Sequence, residues 1–413
     1  MIERNNQNQD PWWPRYADRM DGMQASEIRE LLKIIDQPGV ISFAGGIPDP
    51  ELFPRDAARQ AYEAVLSDPV SASKALQYSV SEGDSDLRAW IVDHMAMQGV
   101  ACSINNILVT SGSQQGLEFL GKTFISPGDT VLVNAPTYLG ALQAFACNQP
   151  IYDALATKAT NRTAASYRET ALSRGSKVSF SYVVPDFANP TGETLTLEER
   201  HRELGLVHDL NIPLVEDNPY GQIRFEGDPL PALLALECQR VGSINNSQVI
   251  YCGSFSKVFT PGLRVGWVCA SKEIIQRLCL IKQASDLNSP AINQRVMHWL
   301  AEREFGNQIA KTKASYGAKR DAMLAALEKY MPIDVDWTHP QGGMFIWLTL
   351  PESKDAGQLL DRSLKEVGVA FVPGQAFYAD KSGKNKVRLS YSLPTVDTIE
   401  EGITKLAGLL KAP

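Results

Sequence analysis

The chain has 413 residues, of which 44% are hydrophobic and 21% charged, and its 40 basic and 47 acidic side chains give a formal net charge of −7. This composition excludes a disordered chain, and the evenly spread, mildly acidic charge disfavours nucleic acid and anionic membranes as partners. No run of about 18 apolar residues indicates a membrane helix, and the polar N-terminus does not resemble a secretory signal. We therefore expect a cytoplasmic protein with a large hydrophobic core.

The six cysteines are scattered along the chain without the Cys-x-x-Cys spacing that metal sites and redox motifs use. Several of them fall in apolar, strand-like runs. We therefore expect reduced thiols in the core, with neither disulfides nor a metal site. The cysteines are Cys102, Cys147, Cys238, Cys252, Cys269 and Cys279.

In chain order, the first predicted element is a helix at 25–36, followed by a turn at Pro38-Gly39. From about residue 107 to 270, short β-rich runs then alternate with helical patterns. Several runs are continuously apolar, as in strands that helices cover on both faces. The pattern predicts an α/β fold with a seven-stranded, mostly parallel sheet. The predicted strands are 107–110, 130–134, 151–154, 178–184, 212–216, 249–253 and 265–270.

Helices are predicted between these strands at 113–125 and 197–210, the second opened by a capping box of Thr196 and Glu199. Beyond residue 290 the pattern changes to a smaller α+β unit. Its predicted elements are helices at 291–304 and 309–330, strands at 344–350, 369–372 and 387–392, and an amphipathic helix at 396–410. We expect three segments: an N-terminal arm and helix at 1–45 that joins the small domain, a large domain at 46–288, and a C-terminal small domain at 289–413.

Three motifs follow predicted strands, at the edge of the sheet where doubly wound folds bind ligands. The first, SGSQQG at 111–116, opens a helix, and its backbone N–H groups suit a phosphate. A plain helix cap at Ser113 explains this motif equally well. The second, VEDNPY at 215–220, offers a carboxylate for a protonated ring nitrogen and Tyr220 for a neighbouring phenolate oxygen, or else is only an acidic loop before a proline turn.

The third motif, SFSK at 254–257, leads into PGLRVGW at 261–267. Lys257 lies beside two hydroxyl residues and seven positions before Arg264, which suits an amine that forms an imine next to a bound phosphate. The alternative is a solvated surface lysine. Apolar strands on both sides of the segment make this alternative less favourable.

The joint occurrence of these motifs in this order resembles the fold-type I aminotransferases of class I/II, which use pyridoxal 5′-phosphate (PLP). Within them, the chain is most similar to bacterial 2-aminoadipate aminotransferases and their kynurenine- and aromatic-amino-acid-transaminating relatives. The similarity runs from ASEIREL at 25–31, through FAGGIP at 43–48, to RLSY at 388–391. It implies the fold-type I large domain and a smaller domain built from both ends of the chain.

The resemblance implies a role for each site residue. Lys257 would hold the cofactor as an imine and later move the proton, Asp217 would pair with the ring nitrogen, and Tyr220 with Asn189 would bind the phenolic oxygen. An ionised Asp217 keeps that nitrogen protonated, which makes the ring an electron sink. Tyr138 would stack on the ring. The phosphate ligands would be Ser113, Gln114, Ser254, Ser256, Arg264 and, from a second subunit of a homodimer with shared active sites, Tyr78.

The resemblance also implies how substrates bind. Arg388 and Asn189 would take the α-carboxylate of the amino acid, with the backbone of Gly45 and Gly46 close by; a planar guanidinium suits that group. Arg29 and Ser26 match positions on the N-terminal helix that meet a distal carboxylate in the 2-aminoadipate enzymes, although Arg29 fits an ordinary surface ion pair equally well. The implied reaction has two ping-pong halves, commonly with 2-oxoglutarate as the acceptor.

Two departures from the family pattern concern packing near the site. Asp84 stands where relatives usually carry an aromatic residue, and Asn218-Pro219 replaces an acidic and small pair before Tyr220. A PLP-dependent β-lyase or decarboxylase is the nearest alternative reaction, and a scaffold without activity is disfavoured because every reactive position carries a competent side chain. A transcription regulator with a winged helix before this domain is not expected, since the aminotransferase-like region starts so early in the chain.

Overall fold

The computed structural model describes residues 10–20, 22–23, 39–156 and 162–411. The helix predicted at 25–36 therefore lies outside the described residues. Within the described ranges the chain forms thirteen strands. They are β1 Ile41–Ser42, β2 Ile107–Thr110, β3 Thr130–Asn134, β4 Ile151–Leu155, β5 Val178–Val183, β6 Leu214–Asp217, β7 Val249–Ser254, β8 Gly266–Cys269, β9 Asp336–Trp337, β10 Phe345–Thr349, β11 Val369–Ala370, β12 Val372–Pro373 and β13 Lys386–Ser390.

The same ranges contain twelve α-helices. They are α1 Arg55–Ser67, α2 Pro69–Leu76, α3 Ser85–Met97, α4 Ser113–Phe124, α5 Leu139–Ala146, α6 Ala164–Ser173, α7 Leu197–Leu210, α8 Leu233–Val241, α9 Lys272–Ser285, α10 Ala291–Tyr330, α11 Ala356–Glu366 and α12 Val396–Lys411. The capping box at the start of α7 forms with both bonds, because Thr196 N donates to Glu199 at 2.7 Å and Glu199 N donates to Thr196 at 3.2 Å.

The central sheet has seven strands in the order β2-β8-β7-β6-β5-β3-β4. Every neighbouring pair is parallel except the two that involve β8, which runs against β2 and β7. The prediction of a seven-stranded, mostly parallel sheet is therefore confirmed. Side chains of β2 alternate between two hydrophobic clusters, with Leu108 in one and Ile107 and Val109 in the other, so helices cover both faces of the sheet.

Residues from both ends of the chain build two small sheets. β1 pairs in parallel with β11, Ile41 opposite Val369, while β12, β13, β10 and β9 form an antiparallel sheet in that order. The β1–β11 pairing places residues 43–46 next to the C-terminal elements and supports an N-terminal segment that belongs to the small domain. The exact domain boundaries stay a prediction.

The structure differs from the predicted elements in three main places. The helices predicted at 291–304 and 309–330 form one continuous helix, α10, because Phe305 packs against Trp90 and Phe255 next to Gly306 and outweighs the low helix propensity of glycine. The strand predicted at 369–372 is two strands in two different sheets. The strand predicted from 212 begins only at Leu214, since Pro213 lacks the N–H that a central strand donates.

Two further observations concern sequence expectations. Of the six cysteines, all free thiols, Cys252, Cys269 and Cys279 are buried and the other three are partly buried. No helix among the described residues is both long enough and apolar enough to span a bilayer.

Candidate active site

The carboxyl ends of β5, β6 and β7 meet the amino end of α4 around a cavity of about 130 Å³. All three motifs that follow strands reach this cavity, so the sheet brings together residues that are far apart in the sequence. Ten of the lining residues are predicted cofactor ligands, and three more are apolar. The lining consists of Ser113, Gln114, Tyr138, Val184, Asn189, Asp217, Pro219, Tyr220, Ser254, Ser256, Lys257, Pro261 and Arg264.

The turn between β2 and α4 is shaped to hold an anion. Its helix-capping position is Gly112, with φ +82°, and a Cβ there would stand 2.4 Å from an Arg264 guanidinium nitrogen. Arg264 Nη2 donates to Ser111 O at 3.1 Å, and Ser111 N donates to Gln115 Oε1 at 2.8 Å. Gly112 has no side chain that could cap the helix, so the first N–H groups of α4 stay available. Together with the nearby guanidinium they favour a phosphate site over a plain helix cap at Ser113.

Lys257 is held at the cavity wall. Its Nζ donates to Gly46 O at 2.9 Å, across 211 residues of sequence. Burial lowers the pKa of Lys257 to about 8, with smaller contributions from the positive charges of Arg388 and Arg264. At pH 7 roughly one amine in ten is therefore neutral, against about one in three thousand at the ordinary pKa of 10.5. This amine is primed for nucleophilic attack and proton transfer, unlike a solvated surface lysine.

The two acids at the end of β6 point to opposite faces of the sheet. Glu216 accepts from the N–H groups of Leu233 and Leu234 at 3.0 and 2.8 Å, so it caps α8, and burial raises the pKa of Glu216 to about 7. Asp217 faces the cavity and accepts from the Tyr182 hydroxyl at 2.8 Å. Burial raises the pKa of Asp217 to about 6, which the bond from Tyr182 partly offsets.

One oxygen of the Asp217 carboxylate is available to a ligand. This oxygen, Oδ1, is buried and has no hydrogen-bond partner among the described residues. A buried acceptor without a donor is costly, and it is most costly when the group is ionised. A protonated ring nitrogen supplies both the missing donor and the opposite charge, so this residue fits the nitrogen of a bound heterocycle.

Arg388 of β13 supplies a buried positive charge. It is 1% exposed, and it donates to Asn189 Oδ1 at 2.8 Å and to Ala44 O at 2.7 Å. Burial raises the pKa of the Tyr220 hydroxyl, and Asn189 lies near enough to lower it slightly. No carboxylate among the described residues pairs with Arg388, and burial lowers its pKa only to about 10, which keeps it charged at neutral pH. A buried cation without an anion fits the α-carboxylate of a substrate.

The remaining predicted site residues lie as follows. Tyr138 borders the cavity at the start of α5, where its hydroxyl lies 3.5 Å from Gln114 Oε1. Gly45 is buried and Gly46 half-buried, and a Cβ at Gly46 would stand 2.9 Å from the ring of Phe345. Tyr78 is 83% exposed and does not line the cavity of its own chain. Ser26 and Arg29 lie outside the described residues.

Sequence reasoning missed several residues of the site. Val184 follows β5 at the same edge as Asp217, and Tyr182 lies two residues earlier on the same face. Both positions were available from the strand-end rule and the two-residue period of a strand. The rings of Phe345 and Phe377, which flank the Arg388 guanidinium at 4.5 and 5.0 Å, carried no such signal, because they come from the C-terminal region.

Asp84, the first departure from the family pattern, has a structural role. Its carboxylate caps α3 by accepting from Asp86 N and Leu87 N at 3.1 and 3.2 Å, and it pairs with Arg295 at 3.0 Å. Its own N–H donates to Gln294. The acid therefore joins the loop after Tyr78 to the start of α10.

The fold and the cavity are those of an enzyme with a reactive lysine, an anion-binding turn and a buried carboxylate that can pair with a ring nitrogen. Residues 40–406 match the family model of aminotransferase class I and II. The chain is 39% identical to aromatic-amino-acid aminotransferase 1 of Thermococcus litoralis, over 96% of this chain and 94% of that protein.

Two solved structures are also similar. One is the alpha-aminoadipate aminotransferase of Thermus thermophilus, complexed with N-(5′-phosphopyridoxyl)-L-leucine, with a TM-score of 0.87, 38% identity and coverage of 97% and 98% of the two chains. The other is the kynurenine aminotransferase of Pyrococcus horikoshii, with a TM-score of 0.89, 38% identity and coverage of 98% of each chain. The chain belongs to the class I and II aminotransferases. It is a PLP-dependent enzyme that transfers amino groups.

Proposed function

We propose that the enzyme moves the amino group of an L-amino acid of the 2-aminoadipate, aromatic or branched-chain type to a 2-oxo acid, with 2-oxoglutarate as the acceptor. The observation that carries this proposal is that Lys257 and Asp217, whose Oδ1 has no partner among the described residues, line one cavity, and that the Arg388 guanidinium bonds to Asn189 of the same cavity wall. The names of the similar proteins support the substrate classes.

We assign the cofactor contacts from the chemistry of the residues around the cavity. Asp217 would take the ring nitrogen, Tyr220 and Asn189 would take the phenolic oxygen, and Tyr138 would contact the ring. The phosphate falls to the amino end of α4, where Ser113, Gln114, Ser254, Ser256 and Arg264 offer N–H, hydroxyl and guanidinium donors. When bound, PLP supplies an electron sink for the bond that is broken at the substrate Cα.

Each residue around the cavity then has a separate role. Arg388 binds the α-carboxylate of the substrate, and Asn189 orients that guanidinium through the 2.8 Å bond. Lys257 would hold the cofactor through its amine and would move the proton of the substrate Cα. Its pKa of about 8 makes the neutral amine available near physiological pH. Gly46 O holds the amine on the side of the cavity where Arg388 lies, because residues 44–46 contact both groups.

We propose a homodimer with shared active sites. Tyr78 is 83% exposed, and it follows α2, whose Val70 and Leu76 are 65% and 73% exposed, while Val80 is 59% exposed. A cluster of exposed apolar side chains of this kind marks an interface between protein surfaces. A second copy that covers this surface would place Tyr78 of the partner subunit at the phosphate. The cytoplasmic location stays a prediction.

We propose that Arg29, with Ser26, reads the distal carboxylate of acidic substrates. The support is the family resemblance of the N-terminal segment. A kinetic comparison of 2-aminoadipate with leucine in Arg29→Gln tests the role. The substitution should lower kcat/KM for 2-aminoadipate by about 10-fold or more, as for a lost charged hydrogen bond, and leave that for leucine unchanged.

The reaction type is tested in a single half-reaction. The holoenzyme is mixed with glutamate, and with each of 2-aminoadipate, kynurenine, leucine and phenylalanine, in the absence of an acceptor. Amino-group transfer converts the absorption band of the lysine-bound cofactor into that of the aminated cofactor and releases one equivalent of 2-oxo acid per site. Release of ammonia or CO2 without that conversion would instead identify a β-lyase or a decarboxylase.

A further inference from the structure

The turn that carries Tyr220 is closed by the side chain of Asn218. The Asn218 N–H continues the sheet by donating to Cys252 O at 2.9 Å, and its Oδ1 accepts from Gly221 N, also at 2.9 Å. Asparagine side chains close turns in this way by imitating a backbone carbonyl. Tyr220 therefore lies inside a loop whose two ends Asn218 holds together.

The other end of the Asn218 amide is tied to a fixed carboxylate. Its Nδ2 donates to Asp186 Oδ2 at 3.1 Å. The second oxygen of Asp186 accepts from Arg200 at 2.7 Å and from Arg224 at 3.2 Å, and these three charged side chains are all less than 10% exposed. Two buried guanidinium groups leave the carboxylate little freedom to move.

Asp186 lies three residues before Asn189, on the segment that follows β5. Tyr220 and Asn189 thus sit on two different segments, which the Asn218–Asp186 bond joins next to the Tyr220 turn, while Arg224 bonds the same carboxylate further along the chain. We infer that Asn218 is a positioning residue that holds the Tyr220 hydroxyl against Asn189 by bracing the 218–221 turn on Asp186. This inference rests on the proposed roles of Tyr220 and Asn189 at the phenolic oxygen of the cofactor.

The surroundings of Asn218 favour this role over a simple packing role. Asn218, Asp186 and Gly221 border a cleft of about 610 Å³ whose lining shares no residue with the cavity around Lys257. Truncation of the Asn218 side chain would leave a gap that is open to this cleft. Water can then replace the amide, so little buried apolar contact is lost. Asn218 also belongs to one of the two departures from the family pattern, and none of the proposed cofactor and substrate contacts involves it.

The test reads the cofactor directly. The visible absorption of the cofactor-bound enzyme changes with pH, and a donor at the phenolic oxygen stabilises the negative charge there and so lowers the pKa of that change. Tyr220→Phe should raise this spectroscopic pKa by about one unit, as for a lost hydrogen bond to a charged acceptor. Asn218→Ala should raise it by about half a unit, since the Tyr220 donor is retained but less well placed.

A double-mutant cycle separates positioning from general destabilisation. If Asn218 acts through Tyr220, adding Asn218→Ala to Tyr220→Phe leaves the spectroscopic pKa within about 0.2 units of Tyr220→Phe alone. Gly221→Ala gives a second, independent perturbation, because its Cβ would stand 2.5 Å from Asn218 Oδ1. It should raise the pKa as Asn218→Ala does, and the two changes together should not add.

Asn385→Ala is the matched control, because Asn385 is also a half-buried amide that bridges two segments, donating to Leu350 O at 2.7 Å outside the site. It should leave the spectroscopic pKa unchanged. An unchanged pKa in Asn218→Ala alongside a raised one in Tyr220→Phe would overturn the inference and leave the proposed function intact. An unchanged pKa in Tyr220→Phe itself would overturn the proposed role of Tyr220, and the inference with it.

Discussion

Asp217 is expected to make the cofactor-free enzyme less stable as the pH rises. Its carboxyl is 1% exposed, has one oxygen without a partner among the residues that the structure describes, and has a pKa of about 6, against an ordinary value of 3.8. Replacement by the isosteric amide, Asp217→Asn, removes the ionisation and keeps the shape. The same change should lower kcat by about 100-fold or more, because the amide cannot hold the ring nitrogen in its protonated form.

The size of the stability effect follows from linkage. Between pH 3.8 and about 6 the native state binds more protons at Asp217 than the unfolded state does, so the free energy of unfolding falls as the pH rises through this window. The full loss, reached above pH 6, corresponds to about 3 kcal/mol. Solvent does not screen this cost, since the group is buried.

The assay is urea unfolding of the apoenzyme at pH 4.5 and pH 7.5, at a fixed protein concentration. Between these two values the wild type should lose about 2 to 3 kcal/mol more of its unfolding free energy than Asp217→Asn does. In the holoenzyme this difference should disappear, because the protonated ring nitrogen pairs with the ionised carboxylate.

Glu216→Gln is the matched control, since Glu216 is the adjacent buried acid, with a pKa of about 7 and its partners on the opposite face. Its contribution to the pH dependence should be the same with and without cofactor. The reasoning is refuted if wild type and Asp217→Asn lose equal stability in the apoenzyme, or if their difference persists unchanged in the holoenzyme.

The remaining predictions concern the other charged groups and the interface. Lys257→Ala should abolish turnover and the absorption band of the lysine-bound cofactor, while size-exclusion chromatography still shows a folded dimer. Cofactor capture by the apoenzyme should accelerate with pH and level off above about 8, where the Lys257 amine is neutral; a midpoint near 10 would contradict the geometry. Arg388→Lys should raise KM for amino and oxo acids alike by about 10-fold or more, since one fork-shaped donor is lost. Tyr78→Ala should weaken cofactor binding, measured by equilibrium dialysis, and mixed dimers with Lys257→Ala should show that the defect lies in the partner's site.

The fold was predictable where one physical signal dominates. Short β-rich runs predicted all seven strands of the large sheet, and several of these runs are continuously apolar because a strand buried on both faces has no polar alternation. The errors arose where tertiary contacts compete with local signals. The aromatic packing of Phe305 carries α10 through Gly306, and the 369–372 segment splits because Val369 faces β1 while Val372 faces β13. Neither partner strand can be read from the segment itself.

Part of the site followed from local pattern in the same way. Ligands of a doubly wound sheet gather where its strands end, and Asp217, Lys257 and the turn at 111–113 all follow predicted strands. The two-residue period also shows that the adjacent acids of β6 face opposite sides of the sheet, so only one of them can reach the cavity while the other faces α8. What the pattern alone left open was which of the two faces holds the ligand, and the resemblance supplied that choice.

Arg388 shows why the substrate end of the site lay beyond local reasoning. Its partners are Asn189, 199 residues away, and Ala44, 344 residues away, and both bonds depend on how the small sheets close. The β1–β11 pairing fixes residues 43–46, and the β10–β13 pairing turns Arg388 towards them, between the rings of Phe345 and Phe377. A one-residue slip in the β10–β13 register would point the guanidinium to the other face of its sheet, and a slip in the β1–β11 register would displace residues 43–46. The proposed substrate site therefore depends on how the two ends of the chain pair, whereas the proposed cofactor site depends on the strand ends of the large sheet.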